Sequence, residues 1–279
     1  VLGINWKTDT DKFSINLAVN ELSVASLTRR IVLSITMSLY DPLGYICPLT
    51  IRLKWLIQQL GKPDQKQGWD EPLTTDQKEP WIKILQKMVE QGSINFSRSC
   101  KPLDTDLSKE VILVNYMDGS NAAKAFVSYI RYVLLPGLAH VALLSAKSKL
   151  NTIGGQSTVR SEMDGHTMGA RGVRTSMDAL KEITPKVTKV YMLGDSTTVL
   201  QALKAGAAPF SEWMANRIGE IYDCLRDLPV GIEVIWGWVE SKNNAADIAS
   251  RTDALPEDLK EGTCWQDGPD YLKLTEEEW

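Results

Sequence analysis

The sequence predicts an α/β fold: a mixed five-stranded sheet with flanking helices, preceded by a smaller, mostly helical segment. Three observations carry this. Beyond residue 110 the apolar residues fall into short runs of strand length, set apart by longer stretches at helical spacing. Their order there is three strands, helix, strand, two helices, strand, helix, which a sheet covered by helices satisfies. Before residue 97 helical spacing dominates and only two short strand-like runs occur.

The elements follow in order. Residues 1–6 and 12–18 read as two strands around the polar turn Lys7–Asp11. Thr28–Leu39 is apolar at helical spacing, and Asp41-Pro42-Leu43-Gly44 ends it, because Pro and Gly do not continue a helix comfortably. A second helix is expected over Pro48–Leu60 and a loop over Gly61–Pro72. The third, Thr75–Gln91, places Trp81, Ile84, Leu85 and Met88 on one stripe. The polar stretch 97–109 is the expected interdomain linker. Val111–Tyr116 is a buried-strand run. Ala123–Tyr132 and Ala139–Ala146 follow it through short connections, as in an antiparallel meander. In the helical stretch Thr158–Leu180, Gly165, Gly169 and Gly172 lower helix propensity. Their near-helical spacing, however, would let that helix lie close against a sheet. Val187–Leu193 is a strand, Ser196–Ala205 and Ser211–Leu225 are helices, Ile232–Val239 is a strand, and Ala245–Arg251 opens a last helix.

Composition sets limits on function. The 279 residues suit one large domain or two, and 43% hydrophobic with 24% charged residues is ordinary for a globular protein. A net charge of −4 gives no global basic field, which leaves a local basic surface as the route to nucleic acid. The four cysteines are far apart and form no Cys-x-x-Cys pair, so they read as reduced thiols, neither a zinc site nor a disulfide framework. Two histidines are too few for a histidine-rich metal site. No apolar run reaches membrane-spanning length, and no membrane partner is expected. The opening Val-Leu-Gly-Ile-Asn-Trp reads as the middle of a strand, so a segment of a longer polyprotein is expected.

Four acids carry the functional reading: Asp118, Glu162, Asp195 and Asp247. Singly each has an ordinary explanation. Asp118 suits a turn after a strand, Asp195 a helix N-cap, Glu162 a solvated helix face and Asp247 a capping acid. Strand order changes this. Asp118 and Asp195 close the first and fourth strands, so if those strands are neighbours their carboxylates face each other. Glu162 comes from the helix that crosses nearby, and Asp247 from the start of the last helix, where the dipole favours an anion. Clustered carboxylates do not all stay ionised without a cation. An all-oxygen donor set suits Mg²⁺, or Mn²⁺. A pair of such ions about 3.5–4 Å apart can activate a water and stabilise the leaving oxygen of a phosphodiester.

The motifs around these acids are specific. Tyr-Met-Asp-Gly-Ser (116–120), Leu-Leu-Ser-Ala-Lys-Ser-Lys (143–149), Thr-Val-Arg-Ser-Glu-Met-Asp-Gly (158–165), Gly-Asp-Ser-Thr-Thr-Val-Leu (194–200) and Asn-Asn-Ala-Ala-Asp-Ile-Ala-Ser-Arg (243–251) resemble the ribonuclease H domain of Bel/Pao-type LTR retrotransposon polyproteins. Upstream, Val-Leu-Gly-Ile-Asn-Trp (1–6) and Leu-Tyr-Asp-Pro-Leu-Gly-Tyr-Ile-Cys-Pro-Leu-Thr-Ile (39–51) are similar to the thumb and connection that follow the polymerase palm in these elements. The resemblance implies four parts: a reverse transcriptase thumb/connection-like segment (1–96), a linker (97–109), a ribonuclease H-like domain (110–252) and a link toward an integrase (253–279). It implies that Asp118, Glu162, Asp195 and Asp247 are catalytic and hold two metal ions, cleaving the RNA of an RNA–DNA hybrid. The implied setting is a virus-like particle in the cytoplasm, or the nucleus, with polymerase palm and integrase in the same polyprotein. One departure stands out: where related domains often carry a histidine, nine residues before the last Asp, this chain has Trp238. Lys124 replaces a usual Tyr or small residue. No Tyr-x-Asp-Asp polymerase motif occurs, so this piece alone is not expected to synthesise DNA.

Recognition of a hybrid rests on the 2′-hydroxyl and the phosphates. Gly119, Ser120 and Asn121 are candidates for the ribose, and Asn216 and Arg217 for phosphates, with Ser196 and Arg251 as further substrate contacts. Arg29, Arg30, Arg52 and Lys54 form the basic group expected to add hybrid affinity. Two other functions compete. An aspartic peptidase needs a proton-sharing Asp dyad, normally from Asp-Thr/Ser-Gly, and both Asp118-Gly-Ser and Asp195-Ser-Thr miss that motif. A non-catalytic scaffold or nucleic-acid-binding remnant is consistent with Trp238 and the net acidity.

Overall fold

A computed structural model describes residues 3–17, 27–62, 68–102, 110–182 and 186–279. Its larger sheet has the order β6-β5-β4-β7-β8. Strands β4 (Glu110–Gly119), β5 (Ala123–Leu135) and β6 (Leu138–Leu150) form the antiparallel meander. β7 (Val187–Gly194) runs parallel to β4, and β8 (Glu233–Trp238) parallel to β7. The sheet is therefore mixed and five-stranded, as expected. Central β4 is buried on both faces, which explains its unbroken apolar run. Its side chains alternate between two cores: Ile112, Val114 and Tyr116 face one, Val111, Leu113 and Met117 the other.

Three helices cover the Val111 face: α4 (Thr158–Ala179), α5 (Thr197–Ala205) and α6 (Glu212–Arg226). The α4 glycines do what their spacing predicts. A Cβ on Gly165 would lie 2.5 Å from the Asp118 carbonyl oxygen, and one on Gly169 2.5 Å from Met117 Cγ. At Gly172 it would run into the Phe126 ring. The bare backbone of α4 thus rests on the ends of β4 and β5.

The Ile112 face is covered by the upstream segment and the chain's last residues. Helices α1 (Arg29–Ser38), α2 (Cys47–Leu60) and α3 (Thr75–Gln91) accompany a small sheet of β1 (Ile4–Lys7), β2 (Lys12–Asn16) and β3 (Ser93–Ser97). Trp81, Ile84, Leu85 and Met88 form the buried stripe of α3. Strand β3 has no counterpart in the sequence reading, since only Ile94 and Phe96 are buried in its five residues. Of the linker expected at 97–109, residues 103–109 lie outside the described residues. One core runs from Ile15 and Trp81 through Tyr116 and Tyr129 to Trp265 and Leu272. The tail, expected as a link, packs on the sheet. It carries the short helix α8 (Cys264–Asp267), its Trp265 Nε1 donates to the Tyr45 carbonyl at 2.7 Å, and buried Arg131 donates to the carbonyls of Leu272 and Leu274 at 2.7 and 2.6 Å.

The Asp41-Pro42-Leu43-Gly44 stretch joins the upstream segment to the sheet. Both Asp41 carboxylate oxygens accept backbone N–H groups, of Tyr45 and Ile46, at 2.8 Å, which serves the amides leading into α2. The Leu43 carbonyl accepts from Ala146 N on edge strand β6 at 2.9 Å. Gly44 has φ +78°, and any Cβ there would collide with the Ala146 carbonyl. The four cysteines are free thiols, and among the described residues no helix is long and apolar enough to cross a membrane.

Candidate metal centre

Strand register brings the first two acids together. β4 and β7 are parallel neighbours with Met117 opposite Gly194, so Asp118 and Asp195 emerge side by side at the same sheet edge. Glu162 arrives from the second turn of α4. Gly119 makes this approach work, since a Cβ there would overlap the backbone of Ser161 and Glu162. One carboxylate oxygen each from Asp118, Glu162 and Asp195 lies within 4.8 Å of the others. Glu162 does not lie on a solvated helix face: it is 8% exposed, and Asp118 5%. Nor is Asp195 a helix cap, because the N-cap of α5 is Ser196.

Burial and mutual repulsion dominate the electrostatics. Burial, then the charges of Asp118 and Asp195, push the Glu162 carboxyl up to about 9. Burial pushes Asp118 up to about 6, against a lowering hydrogen bond from Ser250, with Asp195 and Asp247 adding to the rise. Glu162 Oε2 is buried and has no hydrogen-bond partner among the described residues. An orphaned carboxylate oxygen facing two further acids is a donor set that a hard divalent cation fits.

Asp247 stands beside this group, not within it. It opens the four-residue helix α7 (Asp247–Ser250), where a longer helix was expected, and accepts from Arg251 Nε at 2.8 Å. Burial raises its carboxyl, opposed by Arg251, and the negative charge of Asp195 adds to the rise.

Three residues that sequence reading left out hold the acids in place. Asn244, 4% exposed, donates to the Met117 carbonyl at 3.0 Å and to Asp195 Oδ1 at 3.3 Å, tying the ends of β4 and β7. Ser241 Oγ donates to Asp195 Oδ2 at 2.5 Å. Ser250 Oγ donates to Asp118 Oδ2. The only signal in the sequence was their place, three residues either side of Asp247 for Asn244 and Ser250.

The expected substrate contacts fare unevenly. Gly119 is spent on helix–strand contact, and the Ser120 hydroxyl caps the Ala122–Ala123 turn and donates to the Ser250 carbonyl at 2.8 Å. Asn121 and Asn216 are exposed, and Asn121 Oδ1 accepts from Thr158 at 3.1 Å. Ser196 is half-buried beside Asp195. Arg217 pairs with Asp164 at 2.9 Å, Lys124 with the same carboxylate at 2.5 Å, and Arg251 with Asp247. The basic group of the upstream segment is largely engaged. Arg29 stacks over Trp69, Arg30 pairs with Asp70, and Arg52 donates to the Asp253 and Ala254 carbonyls. Half-buried Lys54 lines a cleft of about 310 Å³ with Lys147. Trp238 is exposed and its Nε1 donates to the Asp195 carbonyl at 3.0 Å.

Sheet order, the covering helices and acids presented at two adjacent strand ends and a crossing helix define a ribonuclease H-like fold. The chain belongs to the family described as the Pao retrotransposon-like RNaseH-like domain, whose model matches residues 28–196. Among solved structures it is similar to the N-terminal ribonuclease H domain of a Mycobacterium tuberculosis protein, fused to maltose-binding protein (14% identity, 48% of this chain and 86% of that one, TM-score 0.34). It is also similar to LC11-RNase H1 in complex with an RNA/DNA hybrid (10% identity, 54% and 100%, TM-score 0.35). A third is the foamy viral protease-reverse transcriptase in complex with dsDNA (12% identity, 86% of this chain but 44% of that one, TM-score 0.44). No curated protein matches the chain.

Proposed function

We propose that this chain is a metal-dependent endonuclease that cleaves the RNA strand of RNA–DNA hybrids, as the ribonuclease H part of a retrotransposon Pol polyprotein. The observation that carries the reading is the convergence of Asp118, Glu162 and Asp195, with one Glu162 oxygen buried and unpartnered. Asp118, Glu162 and Asp195 would hold Mg²⁺ or Mn²⁺, and Asp247 at the rim is the further acid by which a second ion would be held. Such ions, when bound, supply Lewis acidity toward a water and a phosphodiester oxygen. The chain's own groups set the donors. Ser250 fixes the Asp118 carboxylate, Ser241 and Asn244 fix both oxygens of Asp195, and Gly119 lets Glu162 approach. Trp238 holds the Asp195 backbone, but an indole N–H cannot relay a proton as imidazole can. The hybrid is the substrate, with exposed Asn121 and Asn216 as candidate contacts; polymerase palm and integrase are the expected neighbours in the polyprotein.

The test is incubation of the chain with a labelled RNA–DNA hybrid in Mg²⁺, Mn²⁺ or EDTA, beside Asp118→Asn and Asp195→Asn. Cleavage that needs metal and is lost in both variants supports the nuclease. Peptide cleavage without metal would establish a peptidase. A folded protein inert toward hybrid in every metal would be a scaffold.

A further inference from the structure

The Asp247–Ser250 turn bears two groups of the metal centre: Asp247 itself and the Ser250 hydroxyl that holds Asp118. Its own helix is a single turn, too short to hold its place by helix formation alone. Ser120, at the β4–β5 turn, donates to its Ser250 carbonyl at 2.8 Å, and two other parts of the chain hold the rest. Ser148 on edge strand β6 donates to the Ala249 carbonyl at 2.6 Å, and its oxygen lies 3.3 Å from Cys47 Sγ at the start of α2. Five residues along α2, Arg52 Nη1 donates to the carbonyls of Asp253 at 2.8 Å and Ala254 at 2.9 Å. One helix of the upstream segment therefore reaches the turn from both sides. It meets residue 249 by way of Ser148, and residues 253–254 directly.

We propose that Arg52 and Ser148 are positioning residues of the metal centre, through which helix α2 sets where Asp247 and Ser250 stand relative to Asp118. This rests on the reading of those acids as metal ligands. It reassigns Arg52, which from sequence belongs to a basic patch for nucleic acid. Its Nη1 is committed to two backbone carbonyls in a half-buried position, which fixes the guanidinium on the 253–254 turn and leaves Nε and Nη2 as its remaining donors. It also gives the upstream segment a role in cation binding that does not depend on contact with the hybrid.

The test uses the full chain with Arg52→Met, Arg52→Lys, Ser148→Ala and Ser148→Thr. Mn²⁺ affinity is read from the free-ion electron paramagnetic resonance signal. Hybrid affinity is read in EDTA at low and moderate salt. The expected result is Mn²⁺ affinity roughly tenfold weaker in Arg52→Met and Ser148→Ala, with hybrid affinity and its salt dependence unchanged. Ser148→Thr, which keeps the hydroxyl, should restore Mn²⁺ affinity, and Arg52→Lys should restore part of it. Unaltered Mn²⁺ binding in Ser148→Ala would overturn the proposal. So would an Arg52→Met protein with weaker, less salt-dependent hybrid binding and normal Mn²⁺ affinity, the signature of a lost phosphate contact. Where Arg52→Met fails to fold, the Ser148 pair decides. A wild-type chain that binds Mn²⁺ but leaves hybrid intact removes the nuclease reading and leaves this one standing. A wild-type chain that binds no Mn²⁺ removes both.

Discussion

Replacing Glu162 by glutamine removes the charge that the metal-free fold tolerates least. The Glu162 carboxyl sits at about 9 in the folded protein against an ordinary 4.5. The folded state thus holds a proton that the unfolded chain releases. The contribution to stability is complete below the ordinary value, falls as pH rises, and is lost once pH passes the folded value. At about 1.4 kcal/mol per pH unit, the loss by about pH 7.5 has a ceiling of ~4 kcal/mol. Relaxation around the site and water entry reduce this, and ~2 kcal/mol is a working figure. Glutamine keeps the shape and carries no charge, so in EDTA at that pH the variant should be the more stable protein. For a chain of this size the gain is a rise in Tm of roughly 4–8 °C. Added Mg²⁺ should then stabilise the wild type and leave Glu162→Gln almost unmoved. Thermal melts from about pH 5 to 9, with EDTA or Mg²⁺, read both effects. A variant no more stable than wild type in EDTA at alkaline pH, or equal stabilisation of both by Mg²⁺, would refute the reasoning.

Three further outcomes are expected. Gly165→Ala pushes a methyl toward the Asp118 carbonyl and should cost ~1–3 kcal/mol in urea unfolding, with weaker Mn²⁺ binding. Asn244→Ala leaves the buried Met117 carbonyl without that donor and should lower stability by ~1–3 kcal/mol; in a Mn²⁺ titration it should also loosen Asp195. Trp238→His removes a half-exposed ring and its hydrogen bond to the Asp195 carbonyl, so stability should fall by ~0.5–1.5 kcal/mol. Hybrid turnover should rise and acquire a pH dependence near neutrality, and an unchanged rate profile would show that this position has no part in the reaction.

The legible parts of the fold were those with a local cause. Val111–Val114 announces a strand buried on both faces, and Gly165, Gly169 and Gly172 announce close contact before the contacting strand is known. Asp118, Glu162 and Asp195 were legible because strand ends and a crossing helix converge in any sheet of this order. What stayed hidden depends on partners far away in sequence. Ser250 looks ordinary until Asp118, 132 residues distant, is seen against it. Arg52 resembles a phosphate-binding residue until the carbonyls of 253 and 254 are found on its Nη1. Arg30 and Arg217 likewise look like cations for nucleic acid and turn out to be balanced by Asp70 and Asp164. Composition counts charges but does not say which are already paired. Strand β3 escaped because two buried residues are too short a pattern to separate from a loop.

The contact between Leu43 and Ala146 bears on how this chain would tolerate being cut between the upstream segment and the sheet. β6 is an outer strand, and such strands recruit other chains when their backbone is bare. The Leu43 carbonyl and the neighbouring Gly44 cover that border at its middle, while the tail, through Tyr271 and the Cys264 and Trp265 carbonyls, covers Tyr116 and Tyr129. A shortened chain starting at residue 110 would keep that aromatic face covered but uncover the strand border, and should self-associate through it. The upstream layer is in this sense a built-in chaperone for the sheet. A cut that separated the two would leave a sheet prone to stick to copies of itself.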